Sequence, residues 1–154
     1  MNVYIARGGR PAVAALLSAK LGADVRIVHD GDGAPLLVGS PLNVSVSHSR
    51  HFAAIATDPA ARIGVDIEEP RLEQLNRVIS KFLRPEETDA WGRRLLAAWT
   101  AKEATFKAAG VAEIGLGSIA LSSDGAEATV PDGRRFALQI VETEEYTLST
   151  ASPL

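Results

Sequence analysis

Cysteine is missing from all 154 residues of the chain. Its absence excludes a disulfide framework, a thiolate zinc site and a cysteine nucleophile, fits a reducing compartment, and leaves oxygen atoms as the ligands for any metal. Basic charge is not in excess either: 16 Lys+Arg stand against 19 Asp+Glu, a formal net charge of -3. Sequence-independent nucleic-acid binding therefore has little electrostatic support, and no nucleic-acid partner is expected. Charges interrupt every apolar run before membrane-spanning length, and Val3-Tyr4-Ile5-Ala6 is too short for a signal-peptide core. The expectation is a cytoplasmic protein without a membrane partner. No low-complexity segment or Gly-, Ser- or Pro-rich linker divides the chain. With 46% hydrophobic and 23% charged residues, this length supports one globular unit with a single respectable core.

Turn and breaker residues order the chain as strand, helix and several strands, and then the same order again. Val3 to Ala6 reads as a strand, and Pro11, suited to a first helical position, opens a helix that runs to Leu21 and closes at Gly22. Val25 to His29 alternates as a strand before the turn Asp30-Gly31-Asp32-Gly33, and Val44 to Ser47 with Phe52 to Thr57 forms a hairpin around Ser49-Arg50. Asp58-Pro59 breaks the pattern, a strand from Ile63 to Glu68 starts the second half, and Pro70 ends it. Two helices follow, one carrying the stripe Leu72, Leu75, Ile79 and Phe82, the other running from about Pro85 to Ala109 and stopped by Gly110. Strands at Ile119 to Leu121, Ala128 to Val130, Phe136 to Val141 and Tyr146 to Thr150 are separated by Asp124-Gly125, Pro131-Asp132-Gly133 and Glu144-Glu145. The repetition is of pattern, not of residues. It predicts an α/β (α+β) chain of one domain, with residues 1–62 and 63–154 as its two halves.

Two segments carry the chemistry. In Gly64-Val65-Asp66-Ile67-Glu68, strand alternation puts Ile63, Val65 and Ile67 on one face and both carboxylates on the other. In Trp99-Thr100-Ala101-Lys102-Glu103-Ala104-Thr105-Phe106-Lys107, helical spacing places Trp99, Glu103 and Lys107 along one stripe. A helix lying across that strand would bring three carboxylates and an amine to one point, an arrangement suited to a hard divalent cation carrying a phosphate ligand. Each piece also has an ordinary reading. An isolated Asp-x-Glu is more often the solvated face of a strand, and a Glu followed by Lys four residues on is the favoured orientation of a helical ion pair worth about 0.2–0.5 kcal/mol. Trp99 and Phe106 read as core packing, and His29 and His51 as ordinary surface or satisfied histidines.

With Asn43-Val44-Ser45-Val46-Ser47-His48-Ser49 upstream, these blocks resemble the 4'-phosphopantetheinyl transferase superfamily. Their order and spacing resemble its larger, surfactin-type (Sfp-type) branch more than the short holo-acyl-carrier-protein synthase branch, whose acidic strand lies at the very N-terminus. The likeness covers the chain from about Gly33 onward, includes Phe82-Leu83-Arg84-Pro85-Glu86-Glu87, and beyond Gly110 is one of pattern only. It implies the 4'-phosphopantetheinyl transferase fold: two pseudo-repeated halves, each with a helix packed on an antiparallel sheet, and a cleft between them.

The resemblance also implies an activity: transfer of 4'-phosphopantetheine from coenzyme A to a serine of an acyl or peptidyl carrier protein, with release of 3',5'-ADP. By that likeness Asp66, Glu68 and Glu103 hold Mg2+, which also binds the pyrophosphate. Glu103, directly or through a water, is the base; Lys107 neutralises charge on the phosphate oxygens; Lys102 binds or protonates the departing phosphate. Ser47 and His48 resemble the pair that contacts the 3'-phosphate of coenzyme A, and Glu87 is placed at the rim of the site. The chain departs from the family in a shortened N-terminal half, where Arg7 and Arg10 are the candidates to replace basic nucleotide contacts. Gly33-Ala34-Pro35 stands in place of a Gly-Lys-Pro block, and Arg84 in place of a serine. The alternatives are a coenzyme A- or carrier-binding module of the same fold without transferase activity and, more weakly, a magnesium-dependent phosphohydrolase. A monomer and a homodimer are both compatible with the sequence.

Overall fold

The computed structural model describes residues 1–111 and 113–154. Its first half runs β1 (Asn2–Arg7), α1 (Ala12–Leu21), β2 (Arg26–His29), β3 (Pro35–Val38), β4 (Asn43–His48) and β5 (Phe52–Asp58). Strands β1, β5 and β4 form an antiparallel sheet in that order, while β2 and β3 pair as a separate hairpin. The expected turn closes this hairpin, because the Asp30 carboxylate accepts from the backbone N–H groups of Asp32 and Ala34 at 3.0 and 2.8 Å. Strand β3 is an addition to the sequence reading. Pro35-Leu36-Leu37-Val38 has no polar alternation, since Leu36 and Val38 face solvent while Leu37 packs inward. Helix α1 starts after Pro11 and ends at Gly22, laying Leu16 and Leu17 on Val25, Val44 and Ile55.

The second half opens with β6 (Gly64–Glu68) and α2 (Leu72–Phe82), continues through a 3₁₀ turn (Pro85–Glu87), α3 (Thr88–Trp91) and α4 (Leu95–Ala109), and reaches a further 3₁₀ turn (Leu116–Ser118). It finishes with β7 (Ala120–Leu121), β8 (Glu127–Thr129), β9 (Arg135–Glu142) and β10 (Thr147–Pro153), in a five-stranded antiparallel sheet of order β6-β10-β9-β8-β7. The fold is thus mixed α/β, with helices packed on antiparallel sheets, as the sequence predicts. Among the described residues, no helix is long and apolar enough to cross a membrane.

The single helix expected from Pro85 to Ala109 is three pieces. Trp91 is buried and its indole N–H donates to Ser122 O at 3.2 Å, which fixes α3 against the β7–β8 turn. The chain then folds back through Gly92 and Arg93, with the Arg94 N–H donating to Trp91 O at 2.8 Å, and α4 starts afresh at Leu95. The anchored tryptophan overrides continuous helical propensity.

Helix α4 is the core of this half. Ten of its fifteen residues are buried, so it has no solvated face. It lies on β6 and β10 on one side and meets α2 on another, where Phe82 packs edge-on to Trp99 with ring centroids 5.2 Å apart. Thr100 and Ser149 share a buried hydrogen bond of 2.7 Å that registers α4 on β10.

Where the halves meet, β4 and β6 run side by side without a backbone ladder between them. Serine hydroxyls take its place: Ser45 Oγ accepts from the Val65 N–H at 3.0 Å and Ser47 Oγ from the Ile67 N–H at 3.2 Å. Below this seam Ile63, Val65 and Ile67 pack with Phe52, Ala54, Ala56 and Leu148.

Candidate active site

Gly64 sets the geometry of the site. A Cβ built on it would lie 1.8 Å from Ala104 O, so a hydrogen there lets the backbone of α4 rest directly on β6. By alternation along β6, Gly64, Asp66 and Glu68 share the face that meets α4, opposite the Ile63, Val65 and Ile67 face in the core. The bland reading of Asp66 as a solvated strand residue is excluded, because it is only 5% exposed.

Three partners surround Asp66. The Ser47 hydroxyl donates to Oδ1 at 2.8 Å, and the Lys107 ammonium donates to the same oxygen at 2.8 Å. Lys107 also donates to Val65 O at 2.9 Å, with Val46 O at 3.5 Å, so its head spans the seam between β4 and β6. The other oxygen, Oδ2, is buried without a hydrogen-bond partner. Such an oxygen is unfavourable in the interior unless a cation completes it.

Glu68 and Glu103 feel this charge. Burial, followed by the charge of Asp66, pushes the Glu68 carboxyl up to about 7, against the opposing pull of Arg71. Burial and then Asp66 likewise raise Glu103, with Lys107 and Arg71 acting against them. Arg71 donates to Glu68 Oε1 at 2.7 Å and lies over the Trp99 ring at 5.1 Å. The strand and the helix thus bring their carboxylates into one electrostatic neighbourhood with a deficit of positive charge. As the side chains stand, no group of three His, Asp or Glu residues is gathered to hold an ion among the described residues. Asp66 is turned to Ser47 and Lys107, and Glu68 to Arg71.

Other expected site residues lie elsewhere. Lys102 was expected to bind or protonate a departing phosphate, but its side chain is fully buried, donating to Phe82 O and Glu87 Oε2 at 2.6 Å each. One position before Glu103 on the helix, it points about 100° away from it, into the core. Glu87 is corrected with it: it is buried, and it accepts from Lys102 and from the backbone N–H groups of Arg84 at 2.9 Å and Leu121 at 2.8 Å. Arg84 caps the 3₁₀ turn and pairs with Glu86 at 2.6 Å. Arg7 is held by Glu145 at 2.7 Å and lies over the Phe52 ring, which competes with a nucleotide role. Arg10 is exposed at the entry to α1. Of the Ser-His pair, His48 is exposed at the end of β4, whereas the Ser47 hydroxyl is engaged with Asp66 and Ile67.

Sequence reasoning missed Gly64, Arg71 and the Ser47–Asp66 bond. A glycine inside an apolar strand is itself a signal of close backbone approach. The Ser47–Asp66 bond joins positions 19 apart on different strands and has no local signal, whereas Arg71 stands three residues after Glu68.

No curated protein sequence matches the chain. The family model described as the 4'-phosphopantetheinyl transferase superfamily matches residues 62–151, a stretch that starts just before β6, takes in all of α4 and strands β7 to β9, and ends within β10. That match spans more than half of the sequence and contains the strand and helix that bring Asp66, Glu103 and Lys107 together, so this chain belongs to the 4'-phosphopantetheinyl transferase superfamily.

Proposed function

We propose that the protein transfers the 4'-phosphopantetheine group of coenzyme A to a serine of an acyl or peptidyl carrier protein and releases 3',5'-ADP, with Mg2+ as cofactor. The observation that carries this reading is the approach of α4 to β6 across Gly64, which puts Lys107 on Asp66 and Glu103 within its electrostatic reach. The arrangement of a helix, a hairpin and a three-stranded sheet before β6 supports the surfactin-type branch, in which one chain supplies both halves.

The residues suit a divalent cation. The unpartnered Asp66 Oδ2 and the raised carboxyls of Glu68 and Glu103 all call for positive charge, and an all-oxygen donor set suits Mg2+. Asp66, Glu68 and Glu103 would hold it, and when bound it would supply neutralisation of the pyrophosphate charge.

The chain's own groups account for the rest. Glu103, half-buried and raised by burial and by the charge of Asp66, is the candidate to accept the proton of the carrier serine, directly or through a water. As the serine oxygen bonds to the phosphorus nearer pantetheine, the bond from that phosphorus to 3',5'-ADP breaks. The Lys107 ammonium, already at the seam, is placed to balance charge on the transferring phosphate. The departing phosphate is a stable anion, so the chemistry does not need the buried Lys102 as an acid. His48 remains the candidate for the 3'-phosphate.

The direct test is mass spectrometry of an apo carrier protein incubated with the enzyme, coenzyme A and Mg2+. Gain of one phosphopantetheine is expected. No gain on any acyl or peptidyl carrier, with coenzyme A still bound, would favour the binding-module reading; release of phosphopantetheine without a carrier would identify a hydrolase.

A further inference from the structure

We infer that Ser47 is a positioning residue for Asp66: its hydroxyl holds one carboxylate oxygen so that the other is presented to the ion shared with Glu68 and Glu103. The inference rests on the phosphopantetheinyl-transfer reading above and gives Ser47 a different task from the 3'-phosphate contact that family likeness implies.

A serine hydroxyl has one proton to give. In Ser47 it goes to Asp66 Oδ1 at 2.8 Å, and a lone pair accepts the Ile67 N–H at 3.2 Å. Both bonds are buried, and Ser47 itself is 8% exposed. A hydroxyl so engaged cannot donate to a phosphate at the same time. Lys107 donates to the same Oδ1, so both donors act on one oxygen and the buried Oδ2 has none. Two donors on one oxygen fix the rotation of the carboxylate about its Cβ–Cγ bond, and the direction of Oδ2 follows.

The strand provides its own control. Ser45, two residues earlier on the same face of β4, bridges to β6 in the same way, by accepting the Val65 N–H at 3.0 Å, but has no bond to a carboxylate. Joining the two halves is common to both serines. Holding Asp66 belongs to Ser47.

The test is calorimetric titration of Mg2+ into the protein saturated with coenzyme A, without a carrier, for wild type, Ser47→Ala, Ser47→Thr and Ser45→Ala, with melting temperatures measured in parallel. Loss of a group that orients a metal ligand weakens metal binding by about 10- to 100-fold, and Ser47→Ala is expected to fall in that range. Ser47→Thr keeps a hydroxyl and should restore binding; Ser45→Ala should lower the melting temperature while binding Mg2+ as wild type does. The ratio of kcat/KM for coenzyme A to that for dephospho-coenzyme A should be unchanged in Ser47→Ala. If Ser47→Ala does not fold, Ser47→Cys, with a weak donor in the same shape, carries the comparison. Unaltered Mg2+ affinity without the Ser47 hydroxyl, equal weakening in Ser45→Ala, or collapse of the preference for coenzyme A over its dephospho form would overturn the assignment and leave the transferase reading standing. Absence of Mg2+ binding in the wild type would instead remove that reading and the inference with it.

Discussion

The ammonium of Lys102 sits 2.6 Å from Oε2 of Glu87, with side chains 0% and 3% exposed. The remaining bonds of the pair reach Phe82 O at the end of α2, the Arg84 N–H at the 3₁₀ turn and the Leu121 N–H on β7. Three segments are tied to α4 one residue from Glu103. Burial pushes the lysine below its ordinary range, and the hydrogen bond and charge of Glu87 oppose that shift.

Removing one partner leaves the other charged and buried. Lys102→Met is expected to lose about 3–5 kcal/mol of stability, and the double variant Lys102→Met/Glu87→Gln to recover part of it. Urea unfolding checks this. A Lys102→Met protein of wild-type stability with no turnover would instead return the lysine to the chemistry.

Gly64→Ala inserts a methyl where the next atom is the Ala104 carbonyl oxygen, a backbone atom that cannot rotate away. Lifting α4 should destabilise the protein by roughly 1–3 kcal/mol. Transfer should fall further than stability, because Glu103 and Lys107 move away from β6 with the helix. Thermal melting and carrier modification, measured on the same sample below its melting temperature, separate the two effects.

The carboxyl of Glu68 stands at about 7, above its ordinary 4.5, so between those values the folded protein binds more protons than the unfolded chain. Its contribution to stability is complete below about pH 4.5 and is lost as pH rises through about 7. Without metal, the melting temperature should therefore decline across that window, and Glu68→Gln should flatten the decline. Mg2+ with coenzyme A should raise the melting temperature more at about pH 8 than at about pH 5.5, because metal binding requires the deprotonated carboxylates. Differential scanning fluorimetry over a pH series checks all three.

Asp66→Asn and Glu103→Gln keep shape while removing charge, and both should abolish detectable transfer with far-UV circular dichroism unchanged. For Glu103→Gln the part due to lost proton acceptance is about 10²- to 10⁴-fold. Turnover near wild type in either variant would contradict the assigned roles.

Periodic features were legible before any coordinates. Alternation around Asp66 and the spacing of Trp99, Glu103 and Lys107 placed the strand and the helix, and the Asp30 and Pro11 signals placed a turn and a helix start. Tertiary contacts decided the rest. The break at Gly92 follows from a tryptophan held by Ser122 O, a partner 31 positions away. Strand β3 was unread because both of its outward residues are apolar. The family likeness assigns Lys102 to chemistry beside Glu103, but neighbours in a helix point about 100° apart, and packing against Glu87 decides where this one goes.

Helix α4 presents Ala97, Ala98, Ala101, Ala104 and Ala108 to its surroundings, all nearly or fully buried. Methyl groups have no rotamers to adjust, so main-chain contact, rather than side-chain adaptation, sets the gap across which the acidic groups face one another. A bulkier aliphatic at Ala104 or Ala108, where the helix backbone meets Gly64, would act as a spacer of fixed thickness. The chain thus keeps its most exacting distance in its least flexible residues.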